Sequence, residues 1–164
     1  MVGKEMDMQL SCARVVALLG ILALIALPAI AKPNFTGDWK LNTAKSDFGP
    51  MPPPSSMTEK ITHDDPKLKV AISQSTDRGD FDFEVNYTTD GKECTNEFRG
   101  NEMKSTLKWE GDTLVVDTKG RFGDNDVTMQ DKWKLSGDGK TLTVSRHFSS
   151  SMGEADQTLV LEKQ

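Results

Sequence analysis

Polar and apolar residues alternate along most of this chain beyond residue 34, and the alternation is sharpest where the chain turns back on itself. Val127 to Phe148 reads VTMQDKWKLSGDGKTLTVSRHF. Successive side chains on a strand point to opposite faces, so every second residue shares a face. Asp138-Gly139 between two alternating runs predicts a hairpin closed by a type I′ turn, which needs positive φ at both central residues. That register sets Leu135 opposite Leu142, Trp133 opposite Val144, Asp131 opposite Arg146 and Met129 opposite Phe148. One face is then apolar apart from a single acid–base couple. The other carries Thr128, Gln130, Lys132, Lys134, Thr143 and His147, and belongs in water.

The same period recurs through the chain. Phe35, Gly37, Trp39 and Leu41 share a face of the first strand, where Gly37 leaves room beside the Trp39 ring. Met57 and Ile61 alternate with Thr58, Lys60 and Thr62, and Asp64-Asp65-Pro66 turns that strand into Leu68, Val70 and Ile72. Phe81, Phe83, Val85 and Tyr87 alternate with Asp80, Asp82, Glu84 and Asn86. Asp90-Gly91 then predicts a second hairpin, with Tyr87 opposite Cys94, Val85 opposite Asn96 and Phe83 opposite Phe98. Gly111-Asp112 fits a type II′ turn that sets Trp109 opposite Leu114 and Leu107 opposite Val116. Gln157 to Lys163 is the last strand.

Asn42 to Ser56 breaks the pattern. Gly49-Pro50 and Pro52-Pro53-Pro54 stop any regular element, and Phe48 and Met51 give this loop the means to cap one end of a barrel. No stretch beyond residue 31 has a helical period. The expected fold is all-β: an antiparallel up-and-down meander closed into a barrel of about eight to ten strands. A sandwich is the alternative; the lack of anything like a Greek-key crossover favours the barrel.

The first 31 residues stand apart. Lys4 and Arg14 precede an unbroken apolar run from Val15 to Leu27, Pro28 breaks it, and Ala29-Ile30-Ala31 supplies small residues for a signal peptidase. Residues 1–31 are therefore expected to be a signal peptide cut between Ala31 and Lys32, with one domain over 32–164 and a secreted or periplasmic product. An uncleaved anchor is the alternative, although the run is short for a span of about 20 residues. Cys12 precedes the apolar run and cannot be a lipoprotein cysteine. Cys94 alone remains beyond it, so no internal disulfide is expected and core burial must hold the domain.

The segment contains two bases (Lys4, Arg14) and two acids (Glu5, Asp7), so the remainder keeps the full chain's net charge of −5. With no basic cluster, neither nucleic acid nor an anionic membrane surface is an expected partner, and a monomer is expected.

Phe35-x-Gly37-x-Trp39-x-Leu41 resembles the Gly-x-Trp motif that opens lipocalins and fatty-acid-binding proteins, the calycin group, and the whole chain resembles secreted bacterial lipocalin-like proteins. The resemblance implies a barrel with Trp39 closing one end. It also implies a basic residue from a late strand across that ring, for which Arg146 matches best. The sequence departs from the group in two ways. No helix pair follows the first strand, and Thr89-Asp90-Gly91 is a turn in place of the Thr-Asp-Tyr signature.

Candidate chemistry lies on the inward face. Asp131 and Arg146 form either a structural lock or a site for a charged ligand group, because the arginine fork offers two parallel donors to a carboxylate. Trp109, Trp133, Phe83, Tyr87, Phe98 and Phe148 are inward aromatics that either fill the barrel or line a cavity for a flat or long apolar ligand. Cys94 reads as a small core residue. His63 and His147 lack metal-ligand spacing, no Gly-x-Ser-x-Gly motif is present, and no cofactor is implied. The expected function is non-enzymatic binding of a small apolar or amphipathic ligand inside the barrel. The alternative is a packed structural or interaction domain with no small-molecule ligand.

Overall fold

The computed structural model describes residues 32–164. The expected signal peptide and its cleavage point lie outside the described residues. Ten strands follow in order: β1 (Gly37–Leu41), β2 (Ser56–Asp64), β3 (Lys67–Thr76), β4 (Gly79–Thr88), β5 (Glu93–Phe98), β6 (Asn101–Glu110), β7 (Thr113–Phe122), β8 (Asn125–Leu135), β9 (Thr141–Ser150) and β10 (Gly153–Lys163). They form one sheet in the order β4-β3-β2-β1-β10-β9-β8-β7-β6-β5, with every ladder antiparallel. No helix occurs among the described residues. The first and last strands pair with each other, so the meander wraps into a nearly closed barrel.

The central hairpin has the expected register. Asp131 pairs with Arg146, Trp133 with Val144 and Leu135 with Leu142 across β8 and β9. Its turn differs from expectation. Only Gly139 takes positive φ, at 70°, and its N–H donates to the Ser136 carbonyl at 2.9 Å. Asp138 stays out of the left-handed region because its carboxylate accepts from Ser136 Oγ at 2.6 Å and from the Lys140 N–H at 3.1 Å. Such side-chain bonds to nearby groups stabilise a longer loop and leave one glycine to turn the chain.

A second expectation fails at Asp90-Gly91. No backbone ladder joins β4 to β5, which are the two ends of the strand order. Side chains close the barrel there. The Asn86 N–H donates to Asn96 Oδ1 at 2.7 Å, and Asn96 Nδ2 donates to the Asn86 carbonyl at 3.1 Å. A carboxamide carries the donor and acceptor of a peptide group, so Asn96 stands in for a strand and holds the two edges one side chain apart. Phe83 and Phe98 meet edge to face across the same seam at 4.9 Å, and the Arg99 guanidinium lies 4.0 Å from the Phe81 ring centre.

β1 has only five residues, and the loop after it covers what it leaves of β10. The Asp47 N–H donates to the Thr158 carbonyl at 2.8 Å and the Thr158 N–H returns a bond to the Asp47 carbonyl at 2.7 Å. The long loop is thus tied along β10, with Phe48 packed on the core.

One end of the barrel is solid. Phe35, Trp39, Leu107, Leu114, Leu142 and Leu161 are fully buried there, beneath the β2–β3, β6–β7 and β8–β9 turns. The Trp39 indole N–H donates to the Phe35 carbonyl at 2.9 Å. The basic group over the Trp39 ring is Lys163 Nζ, 5.3 Å from the ring centre, and not Arg146. Arg146 sits too far along β9 and is already paired with Asp131; Lys163 faces Trp39 directly across the β1–β10 ladder. A Cβ on residue 37 would come within 2.5 Å of Lys163 Cε, so Gly37 makes room for that lysine stem as well as for the ring.

Candidate functional site

The other half of the barrel is hollow. A cavity of about 680 Å³ runs from the barrel's middle to the rim formed by the long loop and the β9–β10 turn. That volume falls within the ~300–1,000 Å³ range of small-molecule sites. The walls are mostly apolar. Val70 and Ile72 come from β3, Phe83, Val85 and Tyr87 from β4, Phe98 from β5, and Met129 and Trp133 from β8. Pro50, Met51 and Met152 lie at the rim, which puts the proline-rich loop at the mouth. Met152 is 84% exposed, an apolar side chain held at the opening.

Seven of the eight residues expected on an inward ligand face line this cavity: Arg146, Asp131, Trp133, Phe83, Tyr87, Phe98 and Phe148. Trp109 does not. Its inward parity holds, but it sits by the β6–β7 turn, stacked on Phe35 at 5.8 Å with an interplanar angle of 3°. It belongs to the plug. His63 completes that stack, 5.6 Å from Phe35 and 6.1 Å from Trp109. The Phe35 N–H donates to His63 Nδ1 at 3.3 Å, which assigns the ring a proton at Nε2. Burial then holds the His63 pKa below its ordinary value, with Asp65 pulling the other way. Gly37 and Trp39, expected to close the barrel, lie at that same end.

Asp131 and Arg146 make a two-pronged pair. Arg146 Nε donates to Asp131 Oδ1 and Nη2 to Oδ2, both at 2.7 Å. Asp131 is buried, whereas 29% of the Arg146 side chain is open to the cavity. Burial alone would weaken the arginine's hold on its proton; the adjacent Asp131 carboxylate outweighs it and keeps Arg146 charged. Burial, followed by the Asp131 charge, pushes the Tyr87 phenol above its ordinary value. Across the wall, Ser105 Oγ and Thr118 Oγ1 satisfy each other at 2.8 Å.

The residue that sequence reasoning passed over is Glu59. It shares the buried face of β2 with Met57, Ile61 and His63, and its side chain lines the cavity. Its Oε2 has no hydrogen-bond partner. Burial raises its pKa to about 7; Arg146 opposes that shift and Asp131 adds to it. The signal was present in the chain: parity puts position 59 between two apolar inward residues. Trp133 Nε1 is also buried without a partner.

Cys94 packs against the core, and its Sγ lies 3.2 Å from the Ser105 carbonyl. His147 sits on the water face with its Nδ1 2.7 Å from Asp156. Among the described residues, no three His, Cys, Asp or Glu side chains converge in a way that suits a metal ion.

This barrel has counterparts among solved structures. A secretory abundant heat soluble protein of Ramazzottius varieornatus superposes with a TM-score of 0.59 at 15% identity, covering 83% of this chain and 99% of that one. The chain has the lipocalin-like calycin fold. A zebrafish ileal bile acid-binding protein solved with cholic acid gives a TM-score of 0.56 at 16% identity, over 79% of this chain and 98% of its own. A mutant form of the fluorescent protein UnaG gives 0.53 at 20% identity, over 79% of this chain and 95% of that one. No family model matches the sequence, and no curated protein matches it.

Proposed function

We propose that this calycin barrel is a non-enzymatic carrier that holds a small apolar or amphipathic molecule in its interior. The observation that carries this reading is the cavity of about 680 Å³, walled by aromatic and aliphatic side chains around a few polar groups. Such a lining suits an apolar body with one polar end. That a zebrafish protein of the same fold was solved with cholic acid agrees with this use. We further assign the protein to an exported compartment, on the amino-terminal segment; the mass of the protein recovered from its native host should correspond to a chain beginning at Lys32.

Nile red, a neutral dye that brightens in apolar surroundings, tests the binding reading. Saturable binding to one site, displaced by dodecanol and lost in a Val85→Trp variant that fills the cavity, is the expected result. A folded protein that takes up no dye and no dodecanol would instead be a packed interaction domain.

A further inference from the structure

The cavity's charges are unevenly matched. Four charged side chains line it: Glu59, Asp131, Arg146 and, at the rim, Glu154. Arg146 is the only cation among these lining residues, and both prongs that face Asp131 are taken up by it at 2.7 Å. The pair uses two of the five guanidinium N–H donors, so a carboxylate ligand would have to share Arg146 with Asp131 through the remaining ones, in a cavity that also holds Glu59 and Glu154. Glu59 is the reverse case: it is 9% exposed and its Oε2 has no partner. Its neighbours across the ladders are Trp39 on β1 and Ile72 on β3, which offer it no charge. The titratable and charged groups that act on it from facing strands are Arg146 on β9, Asp131 on β8 and Tyr87 on β4.

An unpartnered buried carboxylate is much costlier than an unpartnered buried N–H such as that of Trp133. A ligand that supplies the missing donor at Glu59 therefore gains more than one that supplies an acceptor to the indole.

Resting on the carrier reading above, we propose that Glu59 is the head-group subsite of the cavity and that it takes a protonated amine on an otherwise apolar body, in preference to a fatty-acid carboxylate. The ammonium donates to Glu59, and Asp131 with Arg146 remains paired beside it. Binding requires the ionised form of Glu59. Because that group holds its proton up to about pH 7 in the free protein, amine binding releases a proton at lower pH. Affinity for an amine rises with pH and levels off above about 7. An alkylamine, with an ordinary pKa near about 10.4, stays protonated throughout that range.

The test compares dodecylamine, dodecanol and dodecanoate, each below its aggregation limit, as displacers of Nile red from the protein between pH 5.5 and pH 8. At pH 8 dodecylamine is expected to bind at least about tenfold more tightly than dodecanoate, as one charged hydrogen bond gained or lost implies. Its affinity falls by up to about tenfold per pH unit below 7, while that of dodecanol stays level. Calorimetry in buffers of different ionisation heat reads the released proton directly. Glu59→Gln keeps the side chain's size, should still take up dodecanol, and should lose both the amine preference and its pH dependence. Dodecanoate binding as tightly as dodecylamine, or an unchanged amine preference in Glu59→Gln, overturns the assignment of Glu59 while leaving the carrier reading intact. Failure of the dye and all three ligands to bind overturns both.

Discussion

At the plugged end of the barrel Phe35, Trp39, Leu142 and Leu161 are each no more than 1% exposed; at the open end Phe83, Phe98 and Phe148 remain only part-buried. Both sets come from the same alternating pattern, and both point inward. The difference lies in what crosses the barrel axis. At one end the segment before β1 brings in Phe35, which meets the rings of Trp109 and Trp133 and accepts from the Trp39 indole. At the other end the edge of the long loop and the β9–β10 turn flank the opening, through Pro50, Met51 and Met152, and leave the axis clear. Ten strands make a wider barrel than the eight whose side chains alone can fill the interior. Inward aromatics therefore become core where something plugs the axis and wall where nothing does.

Substitutions can break that comparison, beginning with the largest effect. Trp39→Ala removes a fully buried ring from a site that cannot collapse and should cost about 3–5 kcal/mol in chemical denaturation. Phe148→Ala, on the cavity wall, enlarges a space already open and should cost about 1 kcal/mol while changing dye affinity. Equal losses at the two positions would mean that the cavity half is packed in solution.

The Asp131–Arg146 pair is next. Arg146→Met strands the Asp131 carboxylate, which is 5% exposed, and should cost about 3 kcal/mol. Combining it with Asp131→Leu should restore most of the loss, because replacing both partners leaves no buried charge. A large penalty that survives in the double variant would show that the arginine stem's packing, and not its charge, is what the barrel needs.

Glu59 gives a pH signature. Its folded-state pKa lies above its unfolded value, so the folded state holds more protons between pH 4.5 and about 7. The stability it contributes is complete below pH 4.5 and is lost as pH rises through about 7. Glu59→Gln should therefore stabilise the protein by about 2–3 kcal/mol at pH 8 relative to pH 4.5, from melting curves at the two values. His63 opposes this trend: its pKa is lowered, so its contribution is lost as pH falls below 6.5.

The smallest expected effect concerns the seam. Asn96→Ala removes both bonds to the Asn86 backbone, at a half-buried position, and should cost about 1 kcal/mol. Hydrogen exchange should quicken along β4 and β5 and nowhere in the plug.

The chain's own pattern determined which side chains point inward and which way most strands pair, because strand geometry has a period of two and tight turns fix the register. Met129, Asp131, Trp133 and Leu135 could each be assigned a partner from Asp138-Gly139 alone. Glu59 was equally legible in that pattern, one residue in every two from Met57 to His63. What the sequence could not decide was where a strand neighbour is absent. Two alternating runs around Asp90-Gly91 look like a ladder, yet the barrel's circumference leaves β4 and β5 apart, with Asn96 bridging them. It also could not decide which base covers Trp39, since Arg146 and Lys163 both face inward and only the axial position of each separates them. Nor could it decide whether the interior is filled, because that depends on the width of the closed barrel against the summed volume of side chains from strands far apart in the chain. Alternation is a local property; volume is a property of the whole.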